Sequence, residues 1–117
     1  LTPARKVAAL AEWFNVRTAW HGPNDVSPVG HACQAHMDLA VWNFGLQEFR
    51  NLSEAVHGVF PGSPVHRTVE SDAGYIFVNE APGHGVTINE KEAAKYPIKP
   101  GGLWDPIRRR DGTPVRP

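Results

Sequence analysis

Residues 16–49 read VRTAWHGPNDVSPVGHACQAHMDLAVWNFGLQEF, and two strand-like stretches in them bracket a helical one. Val16–Trp20 is short and β-prone and runs into His21-Gly22-Pro23-Asn24-Asp25, where Gly and Pro end a strand and open a loop. Ser27 followed by Pro28 has the residue types of an N-cap and a first helical position. From Val29 to Ala40 the residues Ala32, Cys33, His36, Met37 and Ala40 recur at helical spacing. Phe44–Phe49 is predicted as the second strand. Outward towards the N-terminus, Thr2 is a candidate cap with Pro3 at the first helical position. Val7, Leu10, Ala11 and Phe14 then form one apolar face of a helix over Ala4–Phe14. Helix, strand, helix, strand at this spacing predicts right-handed parallel α/β units.

Beyond Phe49 the pattern breaks up. Ser53–Val59 predicts one or two helical turns, ended by Pro61-Gly62-Ser63-Pro64. Val69 and Tyr75–Val78 read as strand pieces around the turn Ser71-Asp72-Ala73-Gly74. Pro82-Gly83-His84-Gly85-Val86 is a glycine-rich turn leading to Thr87-Ile88. Glu90–Tyr96 reads as a short helix capped by Asn89, and Pro97–Pro117 has little periodicity. Parallel strands need cover on both faces. Two strands and an irregular tail do not supply it, so the chain is expected to be the C-terminal part of a larger α/β fold.

Composition narrows the functional classes. Twelve Lys and Arg balance twelve Asp and Glu in 117 residues. A basic stripe for nucleic acid or a Lys/Arg cluster for an anionic membrane is therefore not expected. No apolar run approaches a membrane span. The single cysteine, Cys33, excludes an internal disulfide framework and suits a reducing compartment. There is no initiator Met and no signal-peptide pattern, so a cytoplasmic chain cut from something longer is expected.

The candidate chemistry sits at the ends of the two strands. His21 follows the first, with Asp25 four residues on, and Glu48 ends the second. In parallel α/β barrels the working residues sit at C-terminal strand ends, so these groups would face one active-site mouth. Histidine suits proton transfer or polarisation of a hydroxyl near neutral pH, and a neighbouring carboxylate binds hydroxyls or donates a proton.

The same residues carry a resemblance. Arg17-Thr18-Ala19-Trp20-His21-Gly22-Pro23-Asn24-Asp25-Val26-Ser27-Pro28 resembles the seventh-strand segment of mannonate dehydratases of the enolase superfamily. Asn43–Phe49 resembles their eighth strand. Ala81–Val86 followed by Glu92–Pro97 is similar to their P-G-H-G-V and A-A-K-Y-P stretch, and Leu1–Lys6 to the start of the sixth barrel helix. The resemblance implies the C-terminal portion of a (β/α)8 TIM-type barrel, about strands 7–8 with helices 6–7, and a tail returning to a capping domain. Residues 1–117 would be a partial C-terminal barrel domain. It also implies dehydration of a mannonate- or gluconate-like sugar acid through a metal-stabilised enediolate, giving a 2-keto-3-deoxy acid. His21 and Glu48 would be active-site positions contacting the sugar acid, with Asp25 a third substrate-binding position. The cofactor implied is Mg2+, with its carboxylate ligands, the Tyr–Arg base and the His acid all upstream of Leu1. The intact enzyme is expected to be a homo-oligomer. The chain departs from the family where Asp111-Gly112-Thr113 is not followed by a Trp, and in a longer stretch between Phe49 and Tyr75. Two alternatives stand beside the enzyme: an inactive homologue kept as a binding or assembly module, and a small module that binds a ligand through His21.

Other signals have plainer readings. His31, Cys33 and His36 are spaced for a packed helix rather than the i, i+4 pair of a zinc site. His84 is expected to be a turn residue, Arg108-Arg109-Arg110 a solvated face, and Asn51-Leu52-Ser53 a chance glycosylation triplet. Trp13, Trp20, Trp42 and Trp104 are expected to pack, with Trp20 beside His21 lining a pocket.

Overall fold

The computed structural model describes residues 1–66, 74–98, 108–113 and 115. Their elements are α1 (Thr2–Trp13), β1 (Thr18–Trp20), α2 (Pro28–Ala40), β2 (Phe44–Gln47), α3 (Glu54–Val59), β3 (Val65–His66), β4 (Ile76–Phe77) and α4 (Glu90–Ala93). The strand–helix–strand unit expected from residues 16–49 is present. β1 and β2 are parallel neighbours, with Thr18 opposite Phe44, Ala19 opposite Leu46 and Trp20 opposite Gln47. β2 packs against α2, the helix that connects the two strands.

Local chemistry sets the element ends. Ser27 caps α2, its hydroxyl accepting from the Gly30 N–H at 3.2 Å, with Pro28 opening the helix. Thr2 is not the cap of α1. Leu1 holds that position without a side-chain bond, and Thr2 is already the first helical residue. α1 ends in a Schellman turn: Asn15 takes φ 54°, its N–H donates to Glu12 O, and the Val16 N–H donates to Ala11 O. That turn takes up Val16, so β1 begins at Thr18 rather than at Val16. Asn43 then ties three segments together, its Nδ2 donating to Ala8 O at 3.1 Å and to Val16 O at 2.9 Å.

Some of the expected packing is absent from the described residues. The α1 face of Val7, Leu10 and Phe14 lies open, and Ala8 is the residue α1 buries. Trp13 and Trp42, expected to pack, are 85% and 93% exposed. Trp13 ends α1 and Trp42 lies between α2 and β2, and the described residues supply neither with cover. Trp104 and Val69 lie outside the described residues. Of the two histidines of α2, His31 behaves as expected of a packed helix: it is buried, its Nε2 sits 3.3 Å from Pro23 O, and its ring packs on Phe49, while His36 is half-buried.

The C-terminal half forms a second small assembly. β3 and β4 pair antiparallel, Val65 opposite Phe77 and His66 opposite Ile76. Ser53 caps α3 and Asn89 caps α4, as the sequence suggests for Asn89. Asn79 clamps two glycine turns, its Nδ2 donating to Gly62 O and Gly85 O. His84 is a turn residue, its Nδ1 accepting from the Val86 N–H. Ser63 is buried and its hydroxyl lies 2.7 Å from His57 Nδ1, which fastens α3 to the turn after it. Among the described residues no helix is long and apolar enough to cross a membrane.

Candidate functional site at the paired strand ends

Parallel pairing puts the C-terminal ends of β1 and β2 side by side, so the residues that leave them must meet. His21 Nε2 lies 3.5 Å from Glu48 Oε2. The same Oε2 accepts the Gly22 N–H at 3.1 Å, and the Glu48 N–H donates to Trp20 O at 3.3 Å. The two side chains remain open to solvent, at 78% and 54% exposure. An exposed pair of this kind contributes about 0–1 kcal/mol to stability. Its value therefore lies in orientation: a carboxylate fixed on one oxygen by a backbone N–H presents the other oxygen, and the imidazole, to solvent on one side of the strands.

Glycine at position 22 is a steric requirement. A β-carbon there would sit 1.9 Å from Glu48 O and 2.8 Å from its carbonyl carbon. Only a residue without that atom lets the loop after β1 pass the end of β2 so closely.

Of the three site residues expected from sequence, His21 and Glu48 are brought together and Asp25 is not. Asp25 lies in the turn before α2, exposed, and its side chain makes no hydrogen bond or ion pair among the described residues. Two residues that sequence reasoning passed over are central to the geometry. Gln34 of α2 donates from Nε2 to His21 O at 2.7 Å, and Gln47 of β2 donates from Nε2 to Glu48 O at 2.7 Å. Read one at a time, a half-buried glutamine within α2 and another at the end of β2 carry no sequence signal for this contact.

Behind the site, burial pushes the Asp38 carboxyl up to about 6. The Trp20 indole lies close and opposes that rise, although neither Trp20 Nε1 nor Asp38 Oδ1 completes a well-formed hydrogen bond. The folded state thus holds this proton more tightly than the unfolded chain. Stability falls as pH rises from about 4 to about 6, and the cost is fully present above that window. Asp38→Asn in the full-length protein is expected to add about 1 kcal/mol at pH 7, a figure reduced because the carboxyl is partly solvated. The gain should vanish near pH 4. Thermal midpoints at both pH values check it, and a variant less stable than the parent at pH 7 would contradict the burial argument.

Among the described residues no three His, Cys, Asp or Glu side chains converge in a way that could hold a metal ion. The donor set here, one imidazole and one carboxylate, suits hydrogen bonding to hydroxyls rather than cation binding.

Comparison with known proteins shows the family and the fold. The enolase C-terminal domain-like family matches residues 1–92. A D-galactonate dehydratase family member from Salmonella enteritidis PT4 is 49% identical over the whole chain. A D-mannonate dehydratase from Novosphingobium aromaticivorans is 46% identical over 97% of it. The chain spans only about 27% of the length of these curated relatives. The crystal structure of an enolase from Pantoea ananatis, with bound D-gluconate and Mg, superposes with a TM-score of 0.77 at 47% identity. That match covers 99% of this chain and 27% of that one. A mandelate racemase/muconate lactonizing enzyme from Jannaschia sp. CCS1 shares the fold, with a TM-score of 0.67 at 24% identity over 83% of the chain.

Proposed function

This chain belongs to the enolase C-terminal domain-like family, and from that premise we propose that it is the strand-seven-to-eight part of a sugar-acid dehydratase. Residues 93–117 are assigned to the same partial barrel domain as the matched segment. The reaction is loss of water from a sugar acid: a proton leaves the carbon next to the carboxylate, the β-hydroxyl departs as water, and the enol becomes a 2-keto-3-deoxy acid. Named dehydratases among the relatives and gluconate in the Pantoea structure support that substrate class.

The observation that carries the proposal is the His21–Glu48 pair at the C-terminal ends of adjacent parallel strands, held at 3.5 Å yet open to solvent. In this reading His21 and Glu48 touch the sugar acid. Glu48 accepts from its hydroxyls and His21 orients or polarises one of them. Asp25, on the loop between β1 and α2, is assigned an outer position on the substrate. The described residues do not fit a magnesium site, so the cation, together with the groups that move the protons, is assigned to the rest of the full-length protein. A cytoplasmic homo-oligomer is the setting proposed for it, with no nucleic-acid or membrane partner.

The test is turnover by the full-length protein of D-mannonate, D-gluconate and D-galactonate with Mg2+, following the 2-keto acid as its semicarbazone. At least one acid should be dehydrated, and chelation with EDTA should abolish the reaction. Binding of D-gluconate without turnover of any acid would make the protein a binding module. No binding and no turnover would remove the sugar-acid reading altogether.

A further inference from the structure

We propose that Gln34 and Gln47 are positioning residues for His21 and Glu48, their carboxamides forming a relay that grips the backbone carbonyls of both. The inference rests on the dehydratase reading for its kinetic consequence, but its geometry stands on this chain alone. Gln47 Nε2 has three acceptors around it: Glu48 O at 2.7 Å, Trp20 O at 3.2 Å and Gln34 Oε1 at 3.3 Å. Gln34 passes the chain onward, its Nε2 donating to His21 O at 2.7 Å. The two site residues are thus launched from backbone positions fixed by one connected network, and that network bridges β1, β2 and α2.

Stability alone gives no reason for this pair. Gln47 lies on the half-buried face of β2, which packs on the helix carrying Gln34. Apolar side chains would fill that space at lower desolvation cost. Gln47 Oε1 is moreover buried with no hydrogen-bond partner, a feature that costs about 1–3 kcal/mol. What the carboxamides do that leucine or methionine cannot is hold carbonyl oxygens on two different strand ends at once. Both carboxamide nitrogens donate to carbonyls at the strand ends that bear the site, Gln47 to Glu48 O and Trp20 O and Gln34 to His21 O, and the bond from Gln47 to Gln34 Oε1 joins them.

The experiment uses the full-length protein with Gln34→Met, Gln47→Met and Gln34→Glu. The last keeps the acceptor for Gln47, replaces the donor to His21 O with a carboxylate, and sits at a partly exposed position where folding tolerates it. Two readouts are taken. Hydrogen exchange followed by mass spectrometry reads the peptide containing Gly22, whose N–H is held by Glu48, against the peptide covering α1. Steady-state kinetics reads kcat/KM on the sugar acid that the parent protein dehydrates with Mg2+. The expected result is exchange at least tenfold faster in the Gly22 peptide only, with kcat/KM down about tenfold or more, since small misplacements of reacting groups carry costs of that size. Unchanged exchange at Gly22, or faster exchange spread equally over α1, would overturn the proposal by leaving the glutamines a merely structural role or none. Local exchange at Gly22 in a protein that turns over no sugar acid would uphold the relay and reject the dehydratase reading.

Discussion

Glu48→Gln in the full-length protein is expected to lower kcat/KM on its sugar acid by on the order of 10²–10³-fold, the cost of removing one preorganised polar partner from an active site. Folding should be nearly untouched. The glutamine has the same shape, its remaining oxygen still accepts the Gly22 N–H, and the charge it removes stands 54% exposed. The paired imidazole loses only a solvent-screened partner, so the stability change stays within about 1 kcal/mol. Activity and stability are thereby decoupled at this position, which is the mark of a group retained for what it does to a ligand. Kinetics and a thermal midpoint on the same preparation check both halves. A variant within twofold of the parent rate would show that Glu48 does not touch the substrate, and the functional reading of the strand ends would fail with it.

The reasons for the relay and for the carboxylate differ in how far the sequence shows them. Gly-Pro after a β-prone run, Ser-Pro before a helical one and the spacing to Phe44 are local signals, and the unit from β1 to β2 follows from them. The meeting of His21 and Glu48 follows in turn, because parallel neighbours end on the same side. Asp25 enters only as a third substrate-binding position that the resemblance implies, and it lies exposed in the turn before α2. Spacing along the chain carries no information about where such a loop side chain stands. Gln34 and Gln47 are thirteen residues apart and read singly as unremarkable polar positions, so their contact emerges only when the helix is laid on the strand. The open apolar face of α1 makes the complementary point. Periodicity shows that Val7, Leu10 and Phe14 need cover, but it cannot say that the cover is not supplied by the described residues. For such a chain an amphipathic pattern specifies a demand, while the partner that meets it is a fact of the tertiary fold.

Gly22→Ala should damage folding and activity together, although it adds a single carbon atom. Nothing about the backbone conformation of residue 22 calls for glycine; the constraint is distance, with the new methyl 1.9 Å from Glu48 O, 2.8 Å from its carbonyl carbon and 3.2 Å from Gln47 Nε2. A flexible side chain could move aside, but two of these three atoms are backbone. Relief therefore means pushing the end of β2 away from the loop after β1. That displacement lengthens the Gly22 N–H bond to Glu48 Oε2, the Glu48 N–H bond to Trp20 O and the Gln47 contacts together. Forced overpacking of this kind costs about 3 kcal/mol of stability or more, and the lost hydrogen bonds add to it. Activity should fall at least as far as in Glu48→Gln, since both groups of the site are displaced instead of one being neutralised. The prediction separates cleanly from that of Glu48→Gln because here the thermal midpoint must fall along with kcat/KM. An alanine variant as stable and as active as the parent would mean that the two strand ends stand further apart than 3.1 Å between Gly22 N and Glu48 Oε2 allows, and the orientation argument for the His21–Glu48 pair would lose its foundation.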